Sequence, residues 1–460
     1  MNFLIYFKLL PRPLLIIGLV AVVVGTGLHF TRTYRSINDP IQFVTFAEFH
    51  YELYKPIVEA WNQNPENPPA DMDLVAGSAV SQQMVSSFFS GKGFTDIVEI
   101  ESSMARQIFA APVESIILQD LTPYLERDGL LEQINPPSLT PWTRAGNIYG
   151  IPEDVHPVSL LYRADLVEEA GISLEGVKTW DQFFDRLKPL IEDLDGDGII
   201  DRYLINFWPS IGGDYVGIFI KQGYPEIESP DGAINLDSPV LARIMADLTL
   251  WCVKSRRVAA EVSMFSATGW MLQREGYVIS MPVADWYLKS LKTNLPGMAG
   301  KFKLMPLPAW EPGGRRTSVY GGTSMAFFRD STKFEAGWEL GKSLHFSRES
   351  ARARFRETYI LTPIKTYWDD PIYQQPDPYY GNQVVGEHLI GLAPDVPPRH
   401  SSPWLTNAFA MIQNILISTL DYANANEVTD REELVQVIRP QLKAAQKQMD
   451  TLMARNPFYP

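Results

Sequence analysis

The sequence predicts an α/β protein with more than one core, and three observations carry that reading. From Ile41 to Leu125, short strand-like apolar runs alternate with helix-patterned ones, the signature of a parallel sheet wound by helices. The chain has 460 residues, too many for one ordinary core and suited to two or three. The third observation is the stretch Asn147 to Asp165, which joins two apolar runs through Pro152, Glu153, Asp154 and Pro157. Proline removes a backbone donor and fixes φ, which argues against one uninterrupted helix or a central strand here. The stretch reads as an extended crossover between two lobes with Glu153 and Asp154 exposed, or as a surface loop within one domain.

The elements follow in order. Leu14 to Phe30 is nearly all apolar and is flanked by Lys8, Arg12, Arg32 and Arg35. A helix of that length reaches roughly 25 Å, the lower limit for spanning a bilayer. An uncleaved anchor within residues 1–35 is favoured over a cleaved signal. Val24-Gly25-Thr26 is a poor match to a small-x-small cleavage site, and no cysteine follows to be acylated. Either way the folded part is expected outside the cytoplasm.

Ile41 to Phe46 reads as a strand, and Tyr54, Ile57, Val58 and Trp61 form the apolar stripe of a helix. Glu48, Phe49, His50 and Tyr51 lie between them, where open α/β sheets place ligands; Phe49 and Tyr51 suit a hydrophobic staple equally. A short strand near Leu74 and a helix from Ser81 to Phe89 follow. Asp96 to Ile100 is a further strand, with Glu99 and Glu101 at its carboxyl end.

Beyond the crossover, Asp165 to Gly171 makes a short helix. Thr179 and Gln182 have capping-box spacing, which makes Trp180 structural. Asp193, Asp195, Asp197, Ile199 and Asp201 fall at positions 1, 3, 5, 7 and 9 of an EF-hand-type calcium loop, with Gly198 at position 6. Position 12, which should supply a bidentate Glu, is Leu204. The loop either binds calcium as a staple or is an Asp/Gly turn that binds nothing tightly. Trp208 precedes a Gly212-Gly213 turn and either stacks on a ligand or joins the core. Ser238–Val253 and Thr268–Glu275 read as helices, Tyr277–Met281 as a buried strand leading to Asp285 and Trp286, and Phe302–Leu307 as another strand. Gly321 and Gly322 interrupt the run Ser318–Phe328, marking a bend or a close approach by a ligand. Residues 371–403 form a long Pro-rich loop region that leads to Trp404, and Leu434, Ile438, Leu442, Ala445, Met449 and Leu452 keep one face of a final helix.

Bulk chemistry removes several function classes. The net charge of −14 opposes non-specific nucleic-acid binding. Cys252 stands alone in an apolar stretch, so there is no disulfide framework and no cysteine metal site. Six scattered histidines form no zinc-hydrolase pattern. Aromatics make up 12% of the chain, enough to line a groove as well as fill cores. Glu99 with Glu101, or Glu153 with Asp154, offers paired carboxylates for a hydrolase, yet nothing sets their separation or raises a pKa. No enzyme activity is expected.

Several stretches agree with one family. "TDIVEI", "LQDLTPYL", "NIYGIPEDVHPVSLLYRADLVEEAGI" and "KTWDQFFDRLKPL" resemble the extracellular solute-binding proteins of ABC transporters of the maltose-binding-protein type. So do "DLDGDGIIDRY", "REGYVISMPVADW", "FKLMPLP", "VYGGTSMAF" and "FEAGWELGKSL", in order from about residue 41 to 453. The resemblance implies a periplasmic-binding-protein-like fold of two α/β lobes that close on a mono- or oligosaccharide and deliver it to an ABC permease. It implies crossings near residues 151–156, 281–290 and 321–328. Lobe one is then 41–152 plus about 285–322, and lobe two 155–280 plus about 326–460. Positions matching the family's ligand contacts are Glu48, His50, Glu99, Glu101 and Glu153, then Trp208, Asp285, Trp286, Gly321, Gly322 and Trp404. Glu153 is expected to face the ligand. The chain departs from the family in its anchor and in lacking the Trp common after the first strand. A transmembrane tether at the outer face of the cytoplasmic membrane suits a permease partner or a ligand-sensing ectodomain.

Overall fold

The protein is described here by a computed structural model covering residues 39–456, so the expected anchor at 1–35 lies outside the described residues. Strands β1 (Ile41–Thr45), β2 (Ala70–Leu74) and β3 (Ile97–Glu101) are parallel, with β1 between the other two. The helices Glu48–Gln63 and Gly77–Ser90 make the crossovers, as the alternating pattern predicts. A small hairpin, β4 (Thr143–Arg144) with β5 (Asn147–Ile148), precedes β6 (Ile151–Pro152) and β7 (Val158–Arg163). Then come β8 (Tyr203–Asn206), β9 (Ala259–Ala260), β10 (Val278–Ala284), β11 (Phe302–Pro306) and β12 (Thr323–Phe327).

These strands form two five-stranded sheets, ordered β2-β1-β3-β12-β6 and β11-β7-β10-β8-β9. Each sheet carries its own core. The first core sets Phe43, Ile97, Ile151 and Phe327 against Trp338 and Leu344. The second sets Leu160, Ile205 and Val283 against Phe219, Leu248 and Leu416. β10 is buried at all seven positions, as a central strand covered on both faces must be. Cys252 is buried in this second core. The helix Trp180–Leu187 starts on the expected capping box, and Trp180 is buried. The closing helix Arg431–Ala454 buries Leu434, Ile438, Leu442, Ala445 and Met449 on one face, and Asp430 caps its start. Among the described residues no helix is long and apolar enough to cross a membrane.

Strand pairing corrects the lobe boundaries. β11 pairs with β7 in the second sheet, so residues 302–306 belong to lobe two and not to lobe one. β12 pairs with β3 and β6 in the first sheet, and the helix Phe334–His345 packs in the first core. Residues 323–345 therefore belong to lobe one. The expected crossing at 281–290 is also displaced, because β10 is a central strand and Asp285–Asn294 the helix that follows it. Sheet membership depends on which edges pair, and local sequence does not record that.

The observed crossings lie side by side. Glu153 N donates to Thr323 O at 3.1 Å and Val158 N to Ser318 O at 3.1 Å, tying residues 153–158 to 318–323. Val155 N donates to Leu361 O at 3.2 Å, which adds a third segment at Ile360–Leu361. Asn147 to Asp165 is thus an extended crossover between lobes. Glu153 and Asp154 are buried in it, contrary to the exposure expected of them.

A cleft between the lobes with two buried charge clusters behind it

The carboxyl ends of three strands from two sheets converge on one cavity of about 430 Å³. After β1 come Phe46, Phe49 and His50; Glu101 ends β3, and Ser102, Ser103 and Arg106 follow it; after β10 comes Trp286. The helix Gly213–Gly223 adds Asp214, Gly217 and Lys221, and the hinge adds His156, Tyr320, Gly321, Gly322 and Thr323. Ile360, Arg399 and Phe409 complete the wall. Ligands of open α/β sheets gather outside strand carboxyl ends because loops there are free to carry side chains without disturbing the ladder. Trp286 is held by a hydrogen bond from Nε1 to Tyr320 O at 3.0 Å, and Phe265 stacks on it at 5.9 Å. Phe49 remains 45% exposed. Across the cleft, Arg106 of lobe one lies 3.7 Å from Asp214 of lobe two.

Behind the lobe-one wall lies a buried cluster. His50 Nδ1 bonds the Glu99 carboxylate and lies 3.2 Å from Glu153 Oε2. Glu153 also accepts from Arg354 Nε at 3.2 Å and from the Thr323 hydroxyl at 3.0 Å, and the Thr45 hydroxyl donates to Glu99. Burial by itself would lower the His50 pKa, but Glu153 and Glu99 overrule it and raise it. Burial pushes Glu99 upward, whereas His50 and Arg354 overcome burial at Glu153 and hold it well below the carboxylate range.

A second cluster pins the hinge. His156, at a left-handed φ of 53°, bridges Asp154 at 3.0 Å and Asp285 at 2.6 Å. Asp285 also accepts the amides of Trp286 at 2.8 Å and Leu361 at 2.9 Å, so it joins lobe two to the third crossing segment. Asp154 accepts the Thr323 amide at 2.8 Å. Burial opposes the His156 charge, yet the two aspartates push its pKa up to about 10.

The residues read from the sequence divide accordingly. His50, Glu101, Trp286, Gly321 and Gly322 line the cavity. Glu48 is exposed on the first turn of its helix and does not line it. Glu99, Glu153 and Asp285 are buried behind the wall, where each serves a charge partner or an amide. Glu153 in particular is fully buried and turned toward Arg354, not into the cavity. Trp208 lies under the Arg257 guanidinium at 4.5 Å, and Trp404 packs on the lobe-two core. Sequence reasoning missed Arg106, Lys221, Tyr320, Arg399 and Phe409. Nothing local to those positions marks them.

The paired glycines have a clear cause. Gly321 and Gly322 hold φ of 93° and 127°, a region L side chains rarely adopt. A Cβ on Gly322 would meet Arg399 Nη1 at 2.4 Å, and one on Gly321 would meet Trp286 Nε1 at 3.0 Å.

The Asp193–Asp201 turn stands away from the cleft. Oxygens of Asp193, Asp195 and Asp197 lie within 4.8 Å of one another. Asp193 accepts the Gly196 and Gly198 amides at 2.7 Å each, and Asp197 accepts the Ile199 amide at 2.8 Å. Asp201 accepts the Leu194 amide at 2.7 Å. Leu204 is fully buried in β8, so position 12 points no oxygen at the turn.

Comparisons agree with this architecture. The family model of the bacterial extracellular solute-binding proteins matches residues 46–342. An arabinooligosaccharide-binding protein of Halalkalibacterium halodurans is 25% identical over 366 residues, covering 77% of each chain. One of the same description from Bacillus subtilis is 22% identical over 90% of this chain and 91% of its own. Among solved structures, the sugar-binding protein MalE of Xanthomonas citri superposes with a TM-score of 0.70 at 17% identity, over 91% of this chain and all of its own. A cyclo/maltodextrin-binding protein complexed with maltotetraose gives 0.66 at 18% identity, over 92% and 99%. With a family match over more than half its length, the chain belongs to the bacterial extracellular solute-binding proteins.

Proposed function

We propose that the protein closes its two lobes on a carbohydrate and delivers it to an ABC permease. The observation that carries this is the interlobe cavity, where Trp286, Tyr320 and Phe49 stand beside polar groups from both lobes. Saccharides present C–H faces that pack on aromatic rings and hydroxyls that need buried donors and acceptors. The hinge supports the reading. Three hydrogen-bonded crossing segments allow rotation of one lobe against the other, and solute capture needs no chemistry beyond that closure. The relatives' names, arabinooligosaccharide-binding and lactose-binding, point to the same ligand class. Glu99, Glu153 and Asp154 are committed to His50, Arg354 and His156, so the carboxylates that an acid–base pair would need serve as structural partners instead. The apolar run Leu14–Phe30 is assigned to tethering the protein at the outer face of the cytoplasmic membrane, beside its permease.

A thermal-shift screen against neutral and acidic mono- and oligosaccharides tests the function. A saccharide at 100 times its Kd stabilises the protein by about 2.7 kcal/mol. The Asp193–Asp201 turn is assigned to weak calcium binding that staples its loop, since three carboxylates in one turn repel each other without a cation. Calcium added to chelator-treated protein is expected to raise the melting temperature, and Asp195→Ala to abolish that gain. No response in the parent protein removes the site.

A further inference from the structure

The cations on the cavity wall are not equally provided for. Arg106 has Asp214 at 3.7 Å, Lys221 has Glu228 at 2.7 Å, and His156 has two aspartates. Arg399 is 6% exposed and has no carboxylate oxygen within 4.0 Å among the described residues. Its Nη1 donates to Gly321 O, its backbone amide donates to Thr140 Oγ1 at 2.9 Å, and its Nε is buried with no acceptor. A guanidinium is among the costliest groups to bury unpaired, because it keeps its charge and all five donors. The fold nevertheless holds it there, its Nη1 occupying space that a side chain at position 322 would need. Burial pulls the Arg399 pKa below its ordinary value, although Asp154, Glu228 and Asp285 act from beyond contact distance to raise it. On the opposite lobe, His50 Nε2 is also buried without a partner, while Nδ1 is taken by Glu99.

A planar fork of donors matches a planar carboxylate with two parallel hydrogen bonds. Trp286 and Tyr320, on the same wall, provide a face for a sugar ring. We propose that the solute is an acidic saccharide of the uronate type, whose ring carboxylate meets the Arg399 guanidinium while its ring packs on Trp286. This rests on the carbohydrate reading and narrows it. It also explains how a chain of net charge −14 receives an anion: the attraction is local, set by one guanidinium with no carboxylate in contact, on the wall of the interlobe cavity.

Calorimetric titration of the purified protein with di- and trigalacturonate and their carboxyl-reduced counterparts tests the assignment. Simple carboxylates and inorganic phosphate form further arms. The acidic saccharides are expected to bind at least tenfold tighter than the reduced ones, and Arg399→Gln to erase that difference. Reduced sugars binding as well as the acids would overturn the assignment and leave the carbohydrate reading standing. So would retention of the preference by Arg399→Gln. Binding of phosphate or simple carboxylates with no uronate binding would overturn it in favour of another anion. Silence with all of these saccharides would overturn the assignment and leave the carbohydrate reading to be decided by the wider thermal-shift screen. If Arg399→Gln does not fold, the comparison of acid with reduced sugar on the parent protein decides alone.

Discussion

Glu153→Ala is expected to lower the stability of the protein by about 3–5 kcal/mol, the cost of leaving a buried charge without its partner. Glu153 is fully buried and takes Arg354 Nε at 3.2 Å, the Thr323 hydroxyl at 3.0 Å and the approach of His50 at 3.2 Å. Removing it leaves Arg354, which is also fully buried, without its carboxylate partner, because the other anion of the cluster, Glu99, is bonded to His50 and Thr45. The damage is therefore to the fold of lobe one and its hinge, not to a ligand contact. Urea unfolding measures it. The double substitution Glu153→Met with Arg354→Met should recover much of the loss, because replacing a whole buried pair with apolar groups is often neutral. A single variant within 1 kcal/mol of the parent would show that the pair is not buried as described.

His156 gives the second large effect, and it depends on pH. Its folded pKa of about 10 lies above the ordinary 6.5, so folding favours the protonated ring. That contribution is complete below about pH 6.5 and is lost as pH rises toward 10; at 1.36 kcal/mol per unit it is on the order of 5 kcal/mol. Asp154, held below its ordinary value by His156 against the cost of burial, behaves oppositely: its share is present above the carboxylate range and lost in acid. The hinge is thus most stable between mildly acidic and neutral pH. The difference in urea midpoint between parent and His156→Gln should be largest near pH 6.5 and shrink toward pH 10. A constant difference across that range would mean that the ring does not carry a charge in the hinge.

What the sequence revealed and what it hid divide along physical lines. Strand and helix positions were legible because periodicity, capping residues and apolar runs are local: Thr179 with Gln182, the largely apolar β10 and the striped Arg431–Ala454 helix each declare themselves. The crossover at Asn147–Asp165 was legible in part: its two prolines argue against a helix or a central strand, but do not separate a crossover from a surface loop within one domain. Sheet membership was not, because β11 and β12 exchange lobes through pairings 139 residues or more away in the chain. The site was half legible. Strand carboxyl ends pointed to His50, Glu101 and Trp286, but a carboxylate in that position looks identical in sequence whether it faces a ligand or a buried arginine. Glu153 was misread on this account, its partner Arg354 being 201 residues away. Arg399 was invisible because it lies in a Pro-rich loop with no motif, and only the fold lays it against Gly321 and Gly322.

The measurement closest to the central claim is the saccharide thermal-shift screen run in parallel on the parent protein and on Trp286→Ala. The account predicts that at least one saccharide raises the melting temperature of the parent, and that the substitution removes the shift while the unliganded melt stays cooperative. A parent that responds to no saccharide, or a variant that responds as fully as the parent, would contradict binding in the cleft between the lobes.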